Sequence, residues 1–265
     1  MSTALVTGAS RGIGRAIAGA LCGAGYTVIG TSRSPQSLPA AERLPGVRYL
    51  QLDLVSQASI DALVAAAGDV DVLVNNAGQS QIGAIEEVPV SRMRALFEAN
   101  LFGALSLTQR VLPGMRARKS GSIVTVASFA AVTPVPFLSM YAASKAALVA
   151  AFKGLRQEVA PWRIRVSVVA PFDVHTAIPL DVCYDERSAY MPTIAEVRGV
   201  RDRGLAEAPG PEVIASAVLG VLRARRPRFF IAAGRSAGVS AFLVKHLPES
   251  AVESIVRRSF HLPQA

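Results

Sequence analysis

Short runs rich in β-branched residues alternate with Ala- and Leu-rich stretches of helical length along most of this chain. That alternation restricts the fold to a parallel sheet covered by helices on both faces. The strand-like runs are Thr3 to Thr7, Thr27 to Thr31, Val47 to Leu52, Val70 to Val74, Ser122 to Ala127, Arg165 to Val169 and Arg228 to Ala232, so about seven strands are expected. Helices are predicted near Gly12 to Cys22, Ser56 to Ala67, Ser91 to Arg118, Ser139 to Val159 and Pro211 to Ala224. Pro161 ends the fourth of these, because proline lacks an amide donor and disfavours helical geometry at Ala160 before it. One stretch breaks the alternation: Thr176 to Pro209 carries several prolines, both charge signs and scattered large apolar residues. It reads as a substrate lid near 176–210 on a single domain spanning 1–265, with a C-terminal extension near 235–265.

With 265 residues, 51% of them apolar and 18% charged, the chain has material for a large core and is not disordered. No apolar run reaches the ~18 residues of a membrane span. The N-terminus shows no basic region, apolar stretch and cleavage site in succession, so a cytoplasmic location is expected. Cys22 and Cys183 are too few for a disulfide framework and too far from any His pattern for a zinc site, and no metal is expected. The formal charge of +9 raises the question of nucleic acid. Its nearest basic run, Arg223 to Arg228, has no interleaved aromatic residues for base stacking, and no nucleic-acid partner is expected.

Directly after the first strand comes TGASRGIGRAIA, in which Gly8, Gly12 and Gly14 open a helix. Glycines there permit a tight turn and let backbone amides approach a pyrophosphate at the helix N-terminus. Sites that prefer NAD place an acidic residue roughly 20 residues further on, against the adenine ribose. Here the second strand ends in Thr31, Ser32 and Arg33 instead. Arg33 is suited to a bidentate pair with a 2′-phosphate, and Arg11 adds a second positive charge, which favours NADP(H) over NAD(H).

In SMYAASKAALVAAF, Tyr141 and Lys145 are four residues apart and share one helix face. A cation beside a phenol favours the phenolate, which suits the pair to proton transfer near neutral pH. Together with NNAG at Asn75 to Gly78, Asn100 in FEANLFGAL, and Ser128 thirteen residues before Tyr141, these motifs are ordered and spaced as in the short-chain dehydrogenase/reductase family, which the chain resembles over most of its length. The resemblance implies a Rossmann-like, doubly wound α/β fold. It also implies that Tyr141 is the general acid/base, that Lys145 lowers its pKa and binds the nicotinamide ribose, and that Ser128 holds the substrate oxygen. Asn100 would hold a water in a proton relay to the lysine. The implied cofactor site comprises Gly8, Ser10, Arg11, Gly12, Ile13, Gly14, Arg33, Asp53 beside the adenine, Asn76, Ala77, Gly78, Tyr141, Lys145, Pro171 and Thr176, the last against the nicotinamide carboxamide.

After the sixth strand the family's Pro-Gly-x-x-x-Thr becomes Pro171, Phe172, Asp173, Val174, His175, Thr176, which puts the backbone path at Phe172 in question. His175 reads as structural, since Tyr141 already fills the acid/base role. Around the reacting carbon, Ile82, Phe129, Val132, Val135, Pro136, Phe137, Ile178, Leu180, Tyr184, Tyr190 and Met191 form an expected apolar wall for a small lipophilic carbonyl or alcohol. The V-H-T-A stretch and TSR strand end resemble the hydroxysteroid and retinol dehydrogenase branch. The segment SAFLVKHLPESAVESIVRRSF can form amphipathic turns, for peripheral membrane contact or for packing over the substrate mouth. Small residues Ala99, Gly103, Ala142 and Ala146 permit close helix packing, and the resemblance implies a homodimer or homotetramer. Two functions fit this pattern: an NADP(H)-dependent oxidoreductase for an apolar ketone or aldehyde and its alcohol, and a non-catalytic, nucleotide-sensing regulator of the same fold.

Overall fold

The computed structural model describes residues 1–176 and 178–262; Ala177, which ends the V-H-T-A stretch, and residues 263–265 of the C-terminal extension lie outside the described residues. In chain order the strands are β1 (Thr3–Val6), β2 (Thr27–Ser32), β3 (Val47–Gln51), β4 (Val72–Asn75), β5 (Ser80–Ile82), β6 (Gly121–Val126), β7 (Ile164–Phe172), β8 (Leu180–Val182) and β9 (Phe230–Gly234). The helices are α1 (Gly12–Gly23), α2 (Gln57–Ala67), α3 (Val90–Phe97), α4 (Gly103–Ala117), α5 (Ser139–Glu158), α6 (Met191–Ala206), α7 (Glu212–Arg223), α8 (Ala237–His246) and α9 (Glu249–Ser259).

Successive strand residues point to opposite faces, and the apolar content of both faces dictates helices on both sides. Ala4, Val6, Val72, Val74, Val124 and Val126 bury against α1 and α7 through Ile17, Leu21, Ile214 and Val218. Leu5, Leu73 and Ile123 bury against α2, α4 and α5 through Ile60, Leu107, Met115, Leu148 and Phe152. All seven strands of the central sheet are parallel, in the order β3-β2-β1-β4-β6-β7-β9. The order reverses between β1 and β4, and ligand clefts of such sheets form outside the strand ends at that point. Every one of the seven expected strands is present in this sheet.

The predicted helix from Ser91 to Arg118 is interrupted by a π turn, Glu98–Phe102, centred on Asn100. Such one-turn insertions recur at functional sites because they re-aim a side chain. The expected lid contains an ordered helix, α6. Its root is fixed by a second, two-stranded parallel sheet in which β8 pairs with β5, Ser80 to Leu180 and Ile82 to Val182. Gln81 donates to the Asp181 carboxylate at 3.0 Å, and Arg92 pairs with the same carboxylate at 3.1 Å. The C-terminal segment forms two helices, α8 and α9. No helix among the described residues is long and apolar enough to cross a membrane.

Gly103 and Ala142, expected at an interface between copies, are buried within the chain. A side chain on Gly103 would begin 2.6 Å from Leu54 Cβ, so this glycine serves packing of α4 inside the subunit.

Candidate active site

The chain turns from β1 into α1 through Gly8 and Gly12, both in the left-handed region at φ +67° and +53°. Gly14 must be bare for another reason: a Cβ there would lie 2.5 Å from the Asn76 amide nitrogen. No side chain caps α1 at Arg11, and no acidic residue occupies its first turn. The orphan amides and positive dipole end of α1 therefore face the cleft and suit an anion. Asn76 donates to the Thr7 carbonyl at 2.9 Å, while the Thr7 hydroxyl accepts from the amides of Asn76 and Ala77, each at 2.9 Å. The NNAG segment is thereby stapled to the strand end that carries the glycine loop.

One cavity of about 1100 Å³ runs from this loop to Tyr141. It is lined by Gly8, Ser10, Arg11, Gly12, Ile13, Gly14, Arg33, Asp53, Asn76, Ala77, Gly78, Ser128, Tyr141, Lys145, Pro171 and Thr176, so the structure brings those expected residues together. Arg33 is exposed and makes no hydrogen bond or ion pair among the described residues. Thr176 closes over the glycine loop, its hydroxyl oxygen 2.8 Å from where a Gly12 side chain would begin. Asn100 stands behind the cavity, where its amide donates to the Gln79 carbonyl at 2.9 Å and the Ser144 hydroxyl at 3.0 Å, and its oxygen accepts from the Gln79 amide at 2.9 Å. Its side chain is thus committed largely to holding the chain after Gly78. Gly78 is where Asn100 and Lys145 meet: a Cβ there would lie 3.0 Å from Asn100 Oδ1 and 3.2 Å from Lys145 Nζ.

Lys145 is 3% exposed, and burial lowers its pKa to about 8. Its ammonium lies 5.9 Å from the Tyr141 ring centroid. Burial raises the Tyr141 pKa above its usual value, opposed by the Ser128 hydroxyl and by the guanidinium of Arg201 on α6. Ser128 accepts from the Ala130 amide at 3.2 Å, begins the short turn Phe129–Ala131 and lines the cavity.

Phe172 continues β7 as ordinary strand and packs edge-on against Phe129 at 4.8 Å. The left-handed residue falls one place later, at Asp173 with φ +44°, a conformation that aspartate tolerates better than most. His175 bonds to the Leu205 carbonyl at 3.0 Å, in keeping with a structural role.

Residues 2–183 match the short chain dehydrogenase family. The chain belongs to that family. It is 34% identical over 233 residues to dehydrogenase/reductase SDR family member 7B of Bos taurus, an alignment that covers 82% of this chain and 69% of that protein. It is 35% identical over 197 residues to the 3-oxoacyl-(acyl-carrier-protein) reductase of Escherichia coli, covering 72% of this chain and 81% of that protein. A solved short-chain dehydrogenase from Streptomyces avermitilis superposes with a TM-score of 0.84 at 35% identity, covering 98% of this chain and 97% of that one.

Within this short-chain dehydrogenase the expected apolar wall is only partly a wall. Phe129, Val135 and Ile178 line the cavity, whereas Ile82, Phe137, Leu180, Tyr184 and Tyr190 do not reach it and pack in the apolar cluster that Val135, Ile178 and Tyr141 share. Their place is taken by residues of the C-terminal helices, among them Leu243, Val244, Val252, Val256 and Phe260. Residues of the amphipathic C-terminal segment therefore line the same cavity as Tyr141 and Ser128. Sequence reasoning also missed Thr7, Ser144 and Arg201.

Proposed function

We propose that this chain is an NADP(H)-dependent oxidoreductase that interconverts an apolar ketone or aldehyde and its alcohol. The observation that carries the reading is that Tyr141 and Ser128 line the same cavity as the glycine loop. The uncapped α1 terminus and the Gly8 to Gly14 turn suit a pyrophosphate, and the cavity is large enough for a dinucleotide with substrate beside it. Arg33, without a partner among the described residues, is suited to a 2′-phosphate. When bound, the nicotinamide supplies or accepts the hydride.

The protein's part is to place charge and protons. Ser128 donates a hydrogen bond to the carbonyl oxygen, and Tyr141 gives that oxygen its proton as negative charge develops there; in the alcohol-to-ketone direction the phenolate takes the proton back. Burial keeps the phenol protonated at neutral pH, which suits reduction. Reduction of a carbonyl also agrees with the 3-oxoacyl reductase among its relatives. The chain acts in this reading as one domain, with α6, α8 and α9 closing the substrate side, and assembles as a homodimer or homotetramer. The decisive experiment follows NADPH absorbance against a panel of apolar ketones and aldehydes. Tyr141→Phe should lower the rate by about 10²-fold or more; unchanged turnover would overturn the mechanism.

A further inference from the structure

The inward face of α6 is read from residues spaced three and four apart. Ile194 and Val197 are fully buried, and Val200, Arg201, Gly204 and Leu205 continue the same face along the cavity. Arg201 stands seven residues after Ile194 and four after Val197, where an amphipathic helix ordinarily places an apolar side chain. Its side chain is only 18% exposed. Among the described residues the guanidinium makes no hydrogen bond, and its ion pair with the exposed Asp202 is a long 3.7 Å. Asp202 is in addition shared with Arg198 at 3.6 Å.

A guanidinium carries five donors, and withdrawing them from water without partners is costly. It is tolerated where a ligand supplies the acceptor. The other charged groups lining the cavity are Arg11, Arg33 and Asp53 towards the cofactor end, Lys145 beside Gly78, and Asp173 after β7. Arg201 is thus the cation on the substrate side, close enough to Tyr141 to act on its phenol. The neighbouring lining is apolar, from Val200 and Leu205 to the C-terminal Leu243 and Val256. A second polar group lies without a partner in the same lining, the Thr133 hydroxyl.

We propose that Arg201 is a specificity-determining residue that binds an anionic group, a carboxylate in the simplest case, on a substrate whose remainder is apolar and whose carbonyl lies within a few bonds of that anion. This rests on the oxidoreductase reading and narrows its substrate class from lipophilic carbonyls in general to amphipathic keto acids. A carboxylate accepts two parallel N–H bonds from a guanidinium, so the pair fixes orientation as well as affinity. Anchored at α6, such a substrate presents its ketone to Tyr141 and Ser128 while its chain runs along α8 and α9.

The test compares γ-oxooctanoate with its methyl ester as substrates for the intact enzyme with NADPH, in wild type, Arg201→Gln and Arg201→Lys, with thermal unfolding as the check on folding. The wild type should favour the acid in kcat/KM by about tenfold or more. Arg201→Gln should bring the ratio near one, and Arg201→Lys should keep part of it. A ratio unchanged by Arg201→Gln, or a wild-type preference for the ester, overturns the proposal. So does an Arg201→Gln variant that loses NADPH affinity and keeps the ratio, since Arg201 would then serve the cofactor. Titration of the NADP⁺-loaded protein with octanoate and octanol separates this idea from turnover. Octanoate binding tighter than octanol, and lost in Arg201→Gln, upholds the anion site even if every carbonyl is inert; equal binding of the two ligands rejects it.

Discussion

The Asn100 amide donates to the Ser144 hydroxyl at 3.0 Å, and that hydroxyl donates in turn to the Tyr141 backbone carbonyl at 2.7 Å. This relay ties the π turn to the first turns of α5, so Asn100 positions the helix that carries Tyr141 and Lys145. Ser144→Ala removes the acceptor and leaves an Asn100 N–H buried without a partner. The cost should be about 1–3 kcal/mol, read as a lower urea midpoint with an unchanged slope. A loss below that range would mean that the π turn holds its shape without α5.

Lys145 makes stability depend on pH. Burial lowers its pKa from 10.5 to about 8, so between those values the unfolded chain binds a proton that the folded chain does not. Stability contributed by this group therefore rises with pH across that window, and the full penalty is present below about pH 8, where both states are protonated. Lys145→Met should be more stable than wild type at neutral pH by up to about 3 kcal/mol, and the advantage should shrink towards pH 10. Urea titrations of the cofactor-free proteins at several pH values measure it. A stability difference that stays constant with pH would show that Lys145 is not held in this environment.

The central sheet was legible because each strand is a compact run of β-branched residues bounded by turn-forming ones. The glycine loop, NNAG, Ser128 and Tyr141 were legible because each sits at a strand end or opens a helix. What escaped notice did so for physical reasons. β5 and β8 are three residues each, too short to show a period. The inward stripe of α6 begins with Ile194 and Val197, then meets Arg201 and Gly204, so its periodicity is broken by the very residue that faces the cavity. Ser144 looks like any helix serine until the π turn brings Asn100 within bonding distance, and no local pattern announces that turn.

Arg33→Ala tests cofactor choice. The guanidinium has no partner among the described residues, so its removal should not disturb the fold. Its loss should weaken NADPH binding by about 10- to 100-fold and barely change NADH, as expected for charge-assisted bonds to a 2′-phosphate. Titration of both nucleotides measures the ratio. Equal weakening of the two would remove Arg33 from the phosphate site.

Arg201 also bears on the pH profile. Oxidation of an alcohol needs the Tyr141 phenolate, so the rate rises with pH until the phenol has ionised; reduction needs the neutral phenol and falls over the same range. Arg201 pulls the phenol pKa down against the upward push of burial. Arg201→Gln should therefore move the rising limb of the oxidation profile and the falling limb of the reduction profile to higher pH. A shift in the other direction would mean that the guanidinium does not face Tyr141 in the working enzyme.

The C-terminal helices make a prediction that separates a substrate wall from a surface element. Leu243 and Val256 line the cavity from α8 and α9, whereas Val239 and Phe242 on α8 are 65% and 62% exposed. Truncating Leu243 and Val256 together to alanine removes apolar contact from a long substrate and leaves the nucleotide cleft untouched. The double variant should lose about tenfold or more in kcat/KM for a long-chain ketone, since each methylene withdrawn from water is worth about 0.8 kcal/mol. Cyclohexanone, too small to reach both helices from Tyr141, should lose little, and NADPH affinity should not change. Val239→Ser with Phe242→Ser is the matched control, expected to leave both substrates alone. If the exposed pair affected turnover and the lining pair did not, α8 and α9 would not cover the substrate in solution as they do here.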